Sequence, residues 1–281
     1  MQRTIVPQGP FSSEEIASGV TLEQFYPGGL KGPNGEADFE TMGGQNWTNV
    51  HTLGTEADTF QMMLPDIRMP PNQYWPLHWH DCWTVVLIVE GSCLIGDWVL
   101  EAGDVFLAEP SLEYGPLVSG PRGVRLFEIF AQAHLAAGGY APEYHDHPTL
   151  QGSQKFFFER SSVNQRNNGR QTMPCDGVEG ISRFSLEPGL VVDMGDPGDQ
   201  NRGILRDVRL AAGDGIAAET VPDWRWMIVL AGQVDCAGRT LGKDAILRVA
   251  PGATTAPITA GPDGAQLLEL ARTAIALPQR N

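Results

Sequence analysis

Basic residues are scarce in this chain of 281: 19 lysines and arginines stand against 34 aspartates and glutamates, a formal charge of −15. Nucleic acids and anionic membrane surfaces both demand a basic face, so neither is expected as a partner. Long apolar runs are missing too. No stretch approaches the length of a membrane-spanning helix, and Met1-Gln2-Arg3-Thr4-Ile5-Val6-Pro7 has no apolar core of signal-peptide length. Cysteine is limited to Cys82, Cys93, Cys175 and Cys236, with no CxxC spacing. That pattern argues against a disulfide framework, and the four read as reduced, buried thiols of a cytoplasmic protein.

Histidine is rare as well, with six in the chain, yet two of them stand as His78-x-His80. They lead into Thr84-Val85-Val86-Leu87-Ile88-Val89-Glu90-Gly91, a run of β-branched residues ending in glycine. Side chains on a strand alternate faces, so residues two apart point the same way. Two imidazoles converging from one strand form half of a typical divalent metal site. Ordinary hydrogen-bonded strand histidines are the plainer alternative.

Apolar content is 42%, enough to fill a core, while 33 glycines and 21 prolines are spread throughout. From Asp58 onward, short apolar runs alternate with Gly, Pro, Asn and Asp. Phe60–Leu64, Thr84–Val89, Ser92–Ile95, Val105–Ala108 and Val124–Phe130 are examples, and this is an all-β pattern. Thr48–Thr52 is a further strand. Helix signals are few: Ser12 followed by Glu15 has capping-box spacing and predicts a short capped helix or turn over Phe11–Ile16. Residues 134–154 read as a linker, after which the β pattern resumes.

The second half repeats the first. An offset of 141 residues aligns 68–130 with 209–271 without a gap and gives 11 identities in 63 positions, among them Trp83/Trp224, Gly91/Gly232, Gly123/Gly264 and Glu128/Glu269. Chance would supply about four at ordinary residue frequencies. The identities fall mainly on Gly, Pro and Trp, residues that set turns and packing, so one β unit is duplicated.

On these residues the chain resembles the cupin family. His78, His80 and Gly91 match the first cupin motif, and Ala102-Gly103-Asp104-Val105 with Pro110 match the second. The resemblance covers roughly 58–134 and 199–273. It implies two double-stranded β-helix (jelly-roll) barrels with few short helices. The expected division is an N-terminal extension over 1–57, a first barrel over 58–135, a linker with leading strands over 136–198, and a second barrel over 199–281. The resemblance also implies one divalent transition metal (Fe, Mn, Ni or Zn) in a competent barrel. Such folds host oxygenases, lyases, isomerases and plain binders, so fold alone does not choose among them.

Two motif positions depart from the family. The glutamate position of the first motif holds Thr84, and the histidine position of the second holds Tyr114. Two histidines alone hold a metal weakly, so a third ligand is needed. Tyr114 is the positional choice, as ligand or as acid/base group. Glu113, Glu128 and His51 are the alternatives, and Glu128 is set against by its repeat partner Glu269, which suggests a shared structural role. His145 and His147 form a second His-x-His in the linker and read as a solvated loop. Trp75, Thr84, Phe106 and Glu128 are the expected substrate-pocket residues. In the second barrel the two histidine positions hold Glu219 and Val221, so that site is expected to be lost.

Val85–Val89 and Trp226–Leu230 are apolar on both faces, which predicts covered outer faces and a possible homodimer. The functional expectation is a metal-dependent enzyme acting on a small carbonyl, carboxylate or aromatic substrate, leaning to an iron-type dioxygenase. A metal-assisted lyase or isomerase, and a non-catalytic small-molecule binder, are the alternatives.

Overall fold

A computed structural model describes residues 12–24, 47–53, 62–75, 78–80, 82–96, 98–108, 114–131, 137–138, 182–183, 191–194 and 203–272. The chain divides into two compact units, one built on Gln61–Glu187 and the other on Pro188–Asn281.

The first unit contains β3 (Trp47–Leu53), β4 (Met62–Met69), β5 (Tyr74–Trp75), β6 (Trp79–His80), β7 (Thr84–Ile95), β8 (Trp98–Glu101), β9 (Asp104–Ala108), β10 (Leu117–Phe130), β11 (Ala137–Gly138) and β12 (Ser182–Arg183). Its main sheet runs β12-β9-β7-β10-β4-β3, with β5 on β10 and β8 on β7, while β6 pairs with β11. The second unit contains β13 (Val191–Met194), β14 (Gly203–Leu210), β15 (Gly215–Ile216), β16 (Arg225–Cys236), β17 (Arg239–Gly242), β18 (Ala245–Val249) and β19 (Ile258–Arg272). It also takes β1 (Ser12–Ala17) and β2 (Val20–Gln24), and its sheet runs β1-β2-β18-β16-β19-β14-β13. All described pairings are antiparallel.

The duplication read from the sequence recurs strand by strand. β4, β5, β7, β8, β9 and β10 begin 141 residues before β14, β15, β16, β17, β18 and β19 respectively. The shared glycines have a steric cause. Gly91 has φ 76°, and a Cβ there would meet Gly123 O at 2.2 Å. Gly232 has φ 69°, and its Cβ would meet Gly264 O at 2.1 Å. The two longest strands of each unit approach too closely at this point for any side chain.

Short helices were expected, and among the described residues there is none. The capping-box spacing of Ser12 and Glu15 lies instead on β1, which pairs with β2, itself paired with β18. Glu15 accepts a hydrogen bond from Gly19 N at 3.0 Å and so closes the hairpin rather than capping a helix. Sheet pairing here outweighs a weak local signal. Accordingly no described helix is long and apolar enough to cross a membrane.

Alternation along the strands decides what reaches the barrel interior. Val86 and Ile88 on β7, with Leu126 on β10, join one buried cluster with Ile67, Phe106, Leu117 and Tyr114. Val85, Leu87, Phe127 and Ile129 point the other way and are also buried, so both faces are covered as the apolar runs predict. On that second face Asp66 and Arg125 form a buried bidentate pair, with Nε–Oδ1 at 2.9 Å and Nη2–Oδ2 at 3.0 Å.

Candidate metal centre

His78 and His80 are both buried. His78 makes an isolated antiparallel bridge to Tyr114: His78 N donates to Tyr114 O at 3.1 Å, and Tyr114 N donates to His78 O at 2.9 Å. His80 ends β6, opposite Ala137 of β11. The two imidazole centroids are 5.2 Å apart and nearly perpendicular. The ring of His80 also meets the Phe130 ring edge-on at 4.7 Å.

The carboxylate comes from β10. Glu128 lies opposite Val86 on β7 and two residues from the inward-facing Leu126, so it points into the same interior. Its Oε1 is 3.9 Å from His78 Nε2 and 3.5 Å from His80 Nε2. The three donor atoms all lie within 4.8 Å of one another and all three residues are buried. Burial opposes ionisation of Glu128, but the imidazoles of His78 and His80 beside it outweigh that cost and hold the carboxyl well below the usual range.

Tyr114 and Thr84 surround this cluster in different ways. The fully buried Tyr114 donates its hydroxyl hydrogen to Glu128 Oε1 at 2.6 Å, and its ring lies 4.6 Å from that of His78. Thr84 is buried at the start of β7, and its hydroxyl donates to Cys82 O at 3.2 Å. Phe106 is buried 5.4 Å from the Tyr114 ring, and Trp75 is half-buried against the same cluster. Glu113, His145 and His147 lie outside the described residues, as does the side chain of His51 on β3. Cys82, Cys93 and Cys236 are buried free thiols, as expected, while Cys175 lies outside the described residues.

Two imidazole nitrogens and one carboxylate oxygen form a donor set suited to a divalent transition metal. The surroundings fit such an ion. Neither ring nitrogen of the buried His80 makes a well-formed hydrogen bond. An unsatisfied buried polar atom costs about 1–3 kcal/mol, a cost that coordination through Nε2 would remove for that nitrogen.

The second unit shows how the same position is filled without a metal. At the places of His78, His80, Thr84, Tyr114 and Glu128 stand Glu219, Val221, Arg225, Thr255 and Glu269. The Arg225 guanidinium, 3% exposed, bridges the two carboxylates. Its Nη1 and Nη2 donate to Glu219 at 3.0 and 3.1 Å, and its Nε lies 3.1 Å from Glu269 Oε1. Arg206 Nε donates to Glu269 Oε2 at 2.6 Å. A tethered cation therefore occupies the second centre. Glu269 is retained there for ion pairing, so the repeat identity that pointed Glu128 toward a purely structural role had a different cause in each barrel.

No protein-family model matches the sequence, and no curated protein matches it. Solved structures do match in fold. A protein of Nostoc punctiforme PCC 73102, provisionally described as a dioxygenase, superposes with a TM-score of 0.54 at 13% identity, over 83% of this chain and 82% of its own. A variant of salicylate 1,2-dioxygenase from Pseudoaminobacter salicylatoxidans gives 0.49 at 14% identity, over 79% and 76%. Oxalate decarboxylase from Bacillus subtilis gives 0.48 at 13%, over 76% and 68%. With its duplicated jelly-roll strands and its buried two-histidine, one-carboxylate cluster, the chain has a two-barrel, bicupin-type fold with a candidate site for a single divalent metal.

Proposed function

We propose that the first barrel is the working one and that the protein is a metal-dependent enzyme of the dioxygenase type, acting on a small carbonyl, carboxylate or aromatic substrate. The observation that carries this reading is the convergence of His78 Nε2, His80 Nε2 and Glu128 Oε1 in a buried interior. A divalent metal held by these three would supply Lewis acidity and, if iron, reactivity toward dioxygen. Three protein donors leave coordination positions open, which suits a substrate that binds through two oxygens. A dioxygenase that cleaves a carbon–carbon bond takes all four electrons for dioxygen from its substrate and needs no outside reductant, so on this reading the barrel need not hold a second cofactor. The description of the Nostoc protein accords with this reading.

The chain's own residues have definable tasks. His78 and His80 fix the metal's position from one extended segment, and Glu128 lowers its net charge. Phe106, Phe130 and the aliphatic interior keep water away and strengthen every polar interaction in the site. Trp75 and Thr84 are the residues this reading assigns to substrate contact. The lyase or isomerase reading uses the same ligands with the metal as Lewis acid only. A cytoplasmic location and a homodimer complete the proposal, to be checked by fractionation and light scattering.

Metal analysis of the intact protein, purified without chelator and then offered Fe(II), Mn(II), Ni(II) or Zn(II), tests the reading. One metal per chain is expected, lost in His78→Ala and in Glu128→Ala. Failure to retain any of the four ions would sink it. With metal present, oxygen uptake on a panel of hydroxylated aromatic acids and diketones separates oxygenase from lyase.

A further inference from the structure

We infer that Tyr114 is the positioning residue of this centre: its hydroxyl holds Glu128 as a one-oxygen donor and does not itself ligate the metal. The inference rests on the metal reading above and settles the role of the one buried polar group that reading leaves open.

A phenol has a single hydrogen to donate, and Tyr114 gives it to Glu128 Oε1 at 2.6 Å. The side chain has little room to do otherwise. Its main chain is tied to His78 by two hydrogen bonds of 3.1 and 2.9 Å. Its ring is packed against His78 at 4.6 Å and Phe106 at 5.4 Å, and the residue is fully buried. The oxygen that receives the bond is also the one facing both imidazoles, at 3.9 and 3.5 Å. A carboxylate oxygen has two lone pairs. One is taken by Tyr114, and the other is left toward the histidines. The Tyr114 bond fixes the rotation of the carboxylate and so presents Oε1 to both imidazoles. A carboxylate held in this way gives one oxygen to the metal, and the remaining positions stay open.

The second barrel shows what a different residue does at this place. Thr255 is too short to reach the glutamate of the last strand, and its hydroxyl donates to Glu219 O at 3.3 Å. Glu269 is held by Arg206 and Arg225 instead. Each barrel gives this glutamate a dedicated partner. Only in the first is that partner a neutral phenol, which orients the carboxylate and leaves its charge for a cation.

Zn(II) affinity by competition titration, with visible spectra after Fe(III) loading, tests the assignment in wild type, Tyr114→Phe, Glu128→Gln and the double variant. The Phe variant keeps the packed ring and loses only the hydroxyl. It should bind Zn(II) about 10–100-fold more weakly, the usual effect of removing a hydrogen bond to a metal ligand. In the Glu128→Gln background the same change should add nothing, whereas a packing role would weaken both backgrounds alike. Wild type loaded with Fe(III) should show no phenolate-to-iron charge-transfer band. Such a band, lost in Tyr114→Phe, would make Tyr114 a ligand and overturn the proposal, as would equal affinities of wild type and Tyr114→Phe. Wild type that takes up no metal at all would instead sink the metal reading, and the positioning role with it.

Discussion

Arg225→Met tests whether the second barrel depends on its tethered cation. Arg225 and Glu269 are both nearly inaccessible, at 3% and 5% side-chain exposure, while Glu219 is 44% exposed. The Glu219 arm is largely solvated and contributes under about 1 kcal/mol. The Glu269 arm is different, because removing one partner of a buried pair strands the other charge at a cost of about 3–5 kcal/mol. Arg206 stays bonded to Glu269, which places the expected loss near the low end, about 3 kcal/mol. For a cooperative unit of this size that lowers the melting temperature by about 10 °C. Differential scanning calorimetry should show the loss in the transition that reports the second unit. Adding Glu269→Gln should recover at least half of it, because the stranded charge is then gone. A loss under about 1 kcal/mol, or a double variant less stable than Arg225→Met alone, would refute the tethered-cation account.

Gly91→Ala should destabilise the first unit by roughly 1–3 kcal/mol, because the new Cβ would sit 2.2 Å from Gly123 O at φ 76°. Gly238→Ala, at φ 74° with nothing within 4 Å of its Cβ, should cost only about 1 kcal/mol, and urea titration of the two variants compares them. The pair Glu219–Arg225 should make stability fall on the acid side. Hydrogen bonding from Arg225 holds the folded-state carboxyl below its ordinary value of 4.5. The contribution is thus complete above about pH 4.5 and is lost as pH falls through the lower folded-state value. Glu219→Gln should flatten that part of the stability–pH curve, and an unchanged curve would remove the pair from the account.

Much of the fold was legible because its signals are local or periodic. Short apolar runs broken by Gly and Pro marked β7, β9, β10 and their repeats, and the shared glycines marked the close approach at Gly91 and Gly232. Ser12 and Glu15 misled because a capping-box spacing carries no knowledge of β2, whose pairing turns the segment into a strand. The histidine pair was legible for the same reason that β7 was: period 2 places His78 and His80 on one side. Glu128 stands in the sequence as an alternative third ligand and a pocket residue behind Tyr114, because its repeat partner, Glu269, lies in a barrel with no histidines. The register is the same in both units, with Glu128 opposite Val86 and Glu269 opposite Met227, so only the side chains that face each glutamate separate the two roles: His78, His80 and Tyr114 in one, Arg206 and Arg225 in the other.

By itself, then, the sequence determined the all-β class, the duplication and the barrel that keeps two imidazoles. Each of these follows from alternation, turn chemistry and steric demands that act over a few residues. Tertiary structure decided which carboxylate meets the histidines, that the Tyr114 hydroxyl is given to that carboxylate, and that Arg225 fills the corresponding place in the second barrel. Those outcomes depend on distances between side chains far apart in the chain, and such distances exist only once strand register has brought them together.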